Sequence, residues 1–452
     1  MTTRPRLKEF RIEDSRDGIV HLVFDMPGRS MNVFSNSAID DIGVFAAWLK
    51  QSDARGCVVR SGKSNAFCAG ADLPEIEAAY DMIEAAPPAE RVKIAFDHFF
   101  RLSRNFRALE TSGKPVAAAI DGLALGGGCE LALACHFRVM TSGGKSQLGL
   151  PESLVGLLPG AGGTQRLPRL VDIDTALNVL LDGGKLDAQQ ALLYGAVGEI
   201  VAPGDDITAA ERWILSEGET RQPWDRPKAP RLDFNAVQSR LGQERKTRLA
   251  QTFGHYPAPL AILDCLERGL AAPMELALAA EMDVFSHLIQ RPEPRAMIRT
   301  LFMGKLDFDR QKAKGALPAQ LPIVLDHALK GLEKSEAAAR QSGADEMTII
   351  RAQAFAGFTL STGTKPFAKD APQPSADETY WFEQPLSDPI ACLAAELLFS
   401  VARAVAPDVD GLEPAQANVI DYAACRQLGF PSYVGGPLAL ARRIARNTAP
   451  AA

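Results

Sequence analysis

Three short segments of this chain hold residue types whose spacing could do chemistry. Positions 64–73 read SNAFCAGADL, positions 119–135 read AIDGLALGGGCELALAC, and positions 147–167 read QLGLPESLVGLLPGAGGTQRL. Glycines 126–128, followed by an Ala/Leu-rich run, have the form of a glycine turn opening a helix. Such a turn exposes backbone N–H groups without intrahelical partners, and the helix dipole points the same way. An oxygen that acquires negative charge is stabilised there, although a tight packing turn has the same composition. Glu130 falls in the first helical turn amid apolar residues, either as a dipole partner or as a buried acid or base. Glu152, in LGLPESL, is either a helix-start glutamate or a second such group. If both converge on one water, their titrations couple and split, leaving one carboxyl protonated and one ionised. That arrangement delivers a proton and a hydroxide across a double bond. No G-x-G-x-x-G stands in place of the glycine turn and no GK[ST] follows it, so neither a dinucleotide loop nor a phosphate loop is indicated.

The elements that must position these groups follow an alternating rhythm over roughly the first 200 residues. Strands are expected at 18–24 (GIVHLVF), 56–60 (GCVVR), 115–120 (PVAAAI), 137–140 (FRVM) and 198–201 (GEIV). Helical patterns lie near 36–50, 94–109 and 128–135. Strand, helix, strand in that order indicates α/β layering. Residues 203–235 turn polar and Pro-rich and read as a linker. After it, 235–302 is mostly helical, 312–322 (KAKGALPAQLP) is a second break, and the remainder is helical apart from a Thr/Gly/Pro-rich loop at 359–374. The expected division is therefore 1–205, 206–315 and 316–452.

The 452 residues are about three domain lengths, and 46% apolar with 23% charged residues is ordinary globular composition. General disorder, collagen and a disulfide-dense miniature are excluded. A net charge of −6 and a pI near 5.7 give no bulk attraction to nucleic acid or anionic lipid. A polyanionic small molecule could still bind at a local basic spot or a helix N-terminus. Seven cysteines without a CxxC pair point to a reduced, cytoplasmic compartment. The polar start lacks an apolar signal core, and no run of 18 apolar residues suggests a membrane span. Histidines 21, 255, 287 and 327 form no i, i+4 pair and no HExxH, so no metal site is expected.

The three segments resemble motifs of the crotonase (enoyl-CoA hydratase/isomerase) superfamily: AFxAGADL, GxALGGGCELAxxCD and PExxxGxxPGxGGTQRL, in that order. The resemblance covers about residues 10–205 and implies a crotonase-type ββα spiral core. It implies that the N–H groups of Ala71 and Gly127 form an oxyanion hole for an acyl-CoA thioester carbonyl. Glu130 and Glu152 match the two hydratase glutamates, with Glu152 as the acid delivering the α-proton and Glu130 as the base activating water. Gly160 matches the N–H that orients this water, and Ala69 would lie near the CoA adenine. His136 replaces the usual aspartate after ALAC and reads as a structural change. The hairpin TSGGKSQ is about two residues longer than usual. Pro74 stands where many members carry lysine after GAD, so a basic group near the CoA phosphates must come from elsewhere, with Arg29 the candidate.

Residues 421–441, DYAACRQLGFPSYVGGPLALA, resemble the last helical domain of 3-hydroxyacyl-CoA dehydrogenases in multifunctional β-oxidation proteins. Residues 235–315 correspond to the helical linker that precedes the dehydrogenase part. The next segment, ALPAQLPIVLDHALKGL, carries no G-x-G-x-x-G turn, no acidic residue placed to read a ribose, and no HxxNP-type motif follows. His98, in HFF, lacks the Asn-Pro and reads as packing. The expectation is a multifunctional-type chain without its nucleotide-binding domain, too long for a stand-alone crotonase and too short for a full hydratase–dehydrogenase. Hydration of a 2-enoyl-CoA is favoured over Δ3–Δ2 isomerisation, which needs only one proton-shuttling carboxylate, and over a non-catalytic scaffold. No cofactor beyond the substrate's own CoA is expected. Relatives assemble as trimers or with thiolase subunits, and the altered second half argues against carrying the thiolase partner over.

Overall fold

The computed structural model describes residues 3–64, 66–226, 234–359, 380–383 and 386–448. They form two compact units, 1–242 with 261–287 and 243–260 with 288–452. Among the described residues, ten strands lie in the first unit: β1 (Phe10–Asp14), β2 (Ile19–Phe24), β3 (Gly56–Ser61), β4 (Ala66–Cys68), β5 (Val116–Ile120), β6 (Leu123–Leu125), β7 (Phe137–Thr141), β8 (Gln147–Gly149), β9 (Lys185–Asp187) and β10 (Glu199–Val201). Six make one sheet in the order β1-β2-β3-β5-β7-β10, antiparallel only between β1 and β2. Four short strands make a second sheet, β4-β6-β8-β9, antiparallel only between β8 and β9. The apolar runs IVHLVF and VAAAI are buried along their whole length, as parallel strands covered on both faces must be.

Each turn of the fold repeats one unit. A strand of the large sheet (β3, β5, β7) runs directly into a strand of the small sheet (β4, β6, β8). A helix or helical turn then returns the chain, as parallel pairing requires. This is the crotonase-type α/β core. Loop 142–146 consequently passes from one sheet to the other; β7 and β8 do not pair, which corrects the reading of TSGGKSQ as a hairpin.

The helices of this part are α1 (Asn36–Gln51), α2 (Leu73–Glu84), α3 (Pro88–Glu110), α4 (Gly127–Ala134), α5 (Gly163–Arg166), α6 (Ile173–Asp182), α7 (Ala188–Leu193) and α8 (Asp206–Ser216). Helix α8 falls inside the expected linker. Its Ala209, Ala210, Trp213 and Ile214 pack with Ile19, Val58, Ala117 and Val139 of the large sheet, and Trp213 stacks on Phe137 with centroids 4.8 Å apart. A short amphipathic run hidden between prolines was enough to build a core-facing helix. Residues 227–233 of that expected linker lie outside the described residues.

Three longer helices follow: α9 (Phe234–Thr252), α10 (Pro257–Gly269) and α11 (Met274–Leu288). The two compact units cut the chain elsewhere than the expected 205 and 315, with residues 261–287 grouped in the first unit. Polar groups bind them there: buried Gln165 Nε2 donates to the Cys265 carbonyl at 2.9 Å, and half-buried Arg169 donates to the Gly269 carbonyl at 2.8 Å.

The second unit is helical among its described residues, and no strand follows β10 there. It contains α12 (Pro292–Met297), α13 (Lys305–Ala313), α14 (Leu321–Gln341), α15 (Glu346–Ala356), α16 (Pro389–Val405), α17 (Pro414–Gln427) and α18 (Pro437–Thr448), with a π-helical stretch at Ile298–Gly304. Helices α14 and α16 meet at Gly331, where a Cβ would stand 2.9 Å from the Ser400 carbonyl oxygen and Val401 Cα. The GGP turn is structural: buried Asp421 accepts from the N–H groups of Leu438 and Ala439 at 2.8 and 3.1 Å and so caps α18. Helix α16 with its following turn is long and apolar enough to cross a membrane by length and composition. Ala394, Leu397, Leu398 and Val401 on it are nonetheless core residues of this unit. Of the loop expected at 359–374, residues 360–374 lie outside the described residues.

Candidate active site

The small sheet delivers its chemistry at strand ends. Beyond β4 the chain is pinned to the segment before α1: Ala69 N–H donates to the Asn32 carbonyl at 2.9 Å, Phe34 N–H to Gly70 at 2.8 Å, and Asp72 N–H to Phe34 at 3.1 Å. Successive N–H groups of an extended segment point to opposite edges. With the Gly70 carbonyl and the Asp72 N–H on the Phe34 side of this parallel bridge, the N–H of Ala71 faces away from it, and residue 71 is itself exposed.

Beyond β6, Gly126 takes φ +54° and ψ −127°, a conformation open to glycine alone, and α4 starts at once. Gly126 N–H bonds the Gly149 carbonyl at 2.9 Å, while Gly127 N–H belongs to the unpaired first turn. The two glycine segments touch. A Cβ on Gly126 would lie 3.4 Å from Gly70 Cα and 2.9 Å from Glu152 Oε1, and one on Gly70 would lie 3.3 Å from the Leu125 carbonyl oxygen. The N–H groups of Ala71 and Gly127 are thus carried by neighbouring backbones, and the Glu152 carboxyl lies against the second of them.

All eight residues of α4 are buried, Glu130 among them. Its Oε1 accepts from the N–H groups of Ala161 and Gly163 at 2.7 and 2.8 Å. Burial pushes this carboxyl up to about 7, and the two N–H bonds pull the other way. Glu152 sits on the 3-10 turn Pro151–Val155. Its Oε2 is buried without a hydrogen-bond partner, and burial, followed by the Glu130 charge, raises its proton affinity well above the usual carboxylate range. One carboxylate is held by donors suited to its charged form; the other is held where the proton stays on. Gly160 lies on the same turn as Ala161 and Gly163, and a Cβ there would meet the Phe285 ring at 3.3 Å.

The remaining expected residues have clear places. Arg29 is exposed, and its guanidinium donates at 2.8 Å to Asp72, a buried carboxylate next to Ala71. Pro74 stands in the first turn of α2, where a missing N–H costs nothing. His136 is structural: Val116 N–H donates to Nδ1 at 3.1 Å, and Nε2 lies 3.0 Å from the Glu110 carbonyl. Accepting on one nitrogen and donating from the other requires the neutral ring, and burial lowers its proton affinity accordingly. His98 is half-buried with its ring edge-on to Phe99.

Two sets of residues at this site escaped the sequence reading. Arg166, fully buried, donates to both oxygens of buried Glu110 at 3.1 Å and to the Ala161 carbonyl at 2.8 Å. Glu281, on α11 and fully buried, accepts from Gly162 N–H at 2.6 Å, from Thr164 N–H at 3.1 Å and from the Thr164 hydroxyl. Charged residues inside apolar runs (TQRLP, ALAAEMDVF) were the available signal.

Residues 14–219 match the family model described as enoyl-CoA hydratase/isomerase, and this N-terminal part of the chain is a crotonase domain of that family. The "Fatty acid oxidation complex subunit alpha" of Shewanella sp. (strain ANA-3) is 34% identical over 372 residues, covering 79% of this chain and 51% of that protein. Its namesake in Shewanella amazonensis is 36% identical over 335 residues, covering 72% of this chain and 45% of that protein. The chain spans about half the length of the curated relatives it matches. Among solved structures, Pseudomonas aeruginosa DspI is 28% identical, covering 55% of this chain and 91% of that one, with a TM-score of 0.41.

Proposed function

We propose that the crotonase domain hydrates 2-trans-enoyl-CoA to 3-hydroxyacyl-CoA. The observation that carries this reading is the unequal treatment of two buried carboxyls. Glu130 takes two N–H bonds on one oxygen, and Glu152 keeps a buried oxygen with no partner beside the paired glycine backbones. In this reading the thioester oxygen accepts from Ala71 and Gly127 N–H, which stabilise the charge that develops there. Glu130 removes a proton from water, the water oxygen bonds to the β-carbon, and the C=C electron pair moves toward the thioester. Glu152 gives its proton to the α-carbon. Proton return from Glu130 to Glu152 resets the pair, and the net change is addition of one water. The Gly160 N–H orients that water.

Ala69 backbone lies near the CoA adenine in this reading. Arg29, which uses one guanidinium nitrogen on Asp72, offers the rest of its fork to a CoA phosphate. Residues 321–341 fold as helix α14, and the proposal includes no hydride transfer.

The test is loss of enoyl absorbance with crotonyl-CoA and longer 2-enoyl-CoAs. Turnover is expected with at least one chain length, and no NADH is expected when NAD is supplied with a 3-hydroxyacyl-CoA. Absence of hydration at every chain length would sink the proposal. Conversion of a 3-enoyl-CoA without any hydration would replace it with the isomerase.

A further inference from the structure

The turn that presents N–H groups to Glu130 is shared between two carboxylates. N–H groups 161 and 163 go to Glu130, and N–H groups 162 and 164 go to Glu281. The alternation follows from the turn itself. Gly162, at φ +100°, reverses the backbone so that successive amides face opposite sides, and a Cβ there would collide with the Arg166 guanidinium. Glu281 lies beyond the residues matched by the family model, on a helix belonging to the same unit as the site.

We propose that Glu281 is a positioning residue for the Glu130–Glu152 pair: it clamps the 162–164 half of the turn, so that the 161–163 half faces Glu130, and it keeps a negative charge behind both glutamates. This rests on the hydratase reading for its catalytic meaning, and on geometry alone for its structural one. Three donors reach Glu281: two amides and the Thr164 hydroxyl, which itself accepts from Gln165 Nε2 at 3.0 Å and is thereby free to donate. A set made only of donors suits the ionised form and works against burial, which with the Glu130 charge pushes this carboxyl up to about 8, so that its negative charge builds as pH rises toward that value.

The groups facing Glu281 come from five elements. Glu130 on α4 and Glu152 on the 151–155 turn repel its charge. Arg166 on α5 and Arg169 on the following turn attract it, and the Cys265 thiol on α10 is raised first by burial and then by the Glu281 charge. With Glu130 and Glu281 each supplied with donors and Glu152 Oε2 supplied with none, the shared proton resides on Glu152. The charge behind the pair is what keeps it there as pH rises.

Two readouts test this. In Glu281→Gln, kcat for crotonyl-CoA hydration is expected to fall about 10- to 100-fold with little change in KM, as for a sub-ångström misplacement of catalytic groups. Both limbs of the kcat–pH profile move to lower pH, because a charge that disfavoured ionisation of Glu130 and Glu152 is gone. The second readout needs no substrate: in protein labelled with 13C at the glutamate carboxyl, the midpoints of Glu130 and Glu152 move to lower pH in Glu281→Gln. Thr164→Val removes only the hydroxyl donor and moves both midpoints the same way by less, so a poorly folding Glu281 variant does not end the test. Midpoints that stay at their wild-type positions in both variants overturn the proposal, whatever happens to kcat. Wild-type protein inactive on every enoyl-CoA would sink the hydratase reading, while the midpoints would still decide the role of Glu281.

Discussion

Glu152→Gln lowers kcat for crotonyl-CoA hydration by on the order of 10²–10⁴-fold, and Glu130→Gln does the same, with KM nearly unchanged in both. The variants fail for opposite reasons. In Glu152→Gln the amide fits the same buried place beside Gly126 but has no acidic proton to give to the α-carbon. In Glu130→Gln the amide oxygen can stay under the Ala161 and Gly163 N–H groups, so the turn survives, but the side chain cannot take a proton from water. Steady-state rates on the two variants check this. A near-wild-type rate in either one breaks the two-carboxyl assignment.

Gly126→Ala lowers kcat by about 10²–10³-fold, comparable to loss of an oxyanion donor. The φ of +54° with ψ −127° is forced on this residue by the step from β6 straight into α4. A methyl group there would stand 2.9 Å from Glu152 Oε1 and 3.4 Å from Gly70 Cα. Relief requires Glu152 to swing away or the two glycine segments to part, and each movement spoils the acid or the paired N–H groups. Gly144→Ala is the control, since a Cβ on that loop meets nothing within 4 Å. The control should retain wild-type kcat, measured beside a thermal melt of both variants. A Gly126→Ala protein with full activity would contradict the close approach as a catalytic requirement.

Much of this was legible in the sequence where a single local property carried the information. Four strands of the large sheet, β2, β3, β5 and β7, were read from largely apolar runs, because parallel strands hidden on both faces have little polar side to interrupt them; half-buried β10 was the one three-residue strand expected. The three-residue strands β4, β6, β8 and β9 were not read, since three residues show no period. Edge strand β1, FRIED, was missed because only one of its residues is buried.

At the site, glycine pairs and glutamates in apolar surroundings were visible as local oddities. What joined them was not. Arg166 with Glu110 is a contact across 56 positions, and Glu281 with Gly162 one across 119. No spacing rule reaches that far. The same distance explains why a division after residue 205 was read from local composition while the compact units divide elsewhere. Helices α10 and α11 show little along their own length, and it is long-range contacts, Gln165 with the Cys265 carbonyl and the 162–164 turn with buried Glu281, that group 261–287 with the first unit.

In the proposed reaction this pair of glutamates adds water, and not only a proton, across the double bond. Incubation of crotonyl-CoA in water carrying 18O and deuterium, with mass analysis of the acyl product, tests it most directly. Each product molecule is expected to carry one 18O at the β-carbon and one deuterium at the α-carbon, both lost together in Glu130→Gln and Glu152→Gln. Deuterium entering the acyl chain without 18O would contradict it.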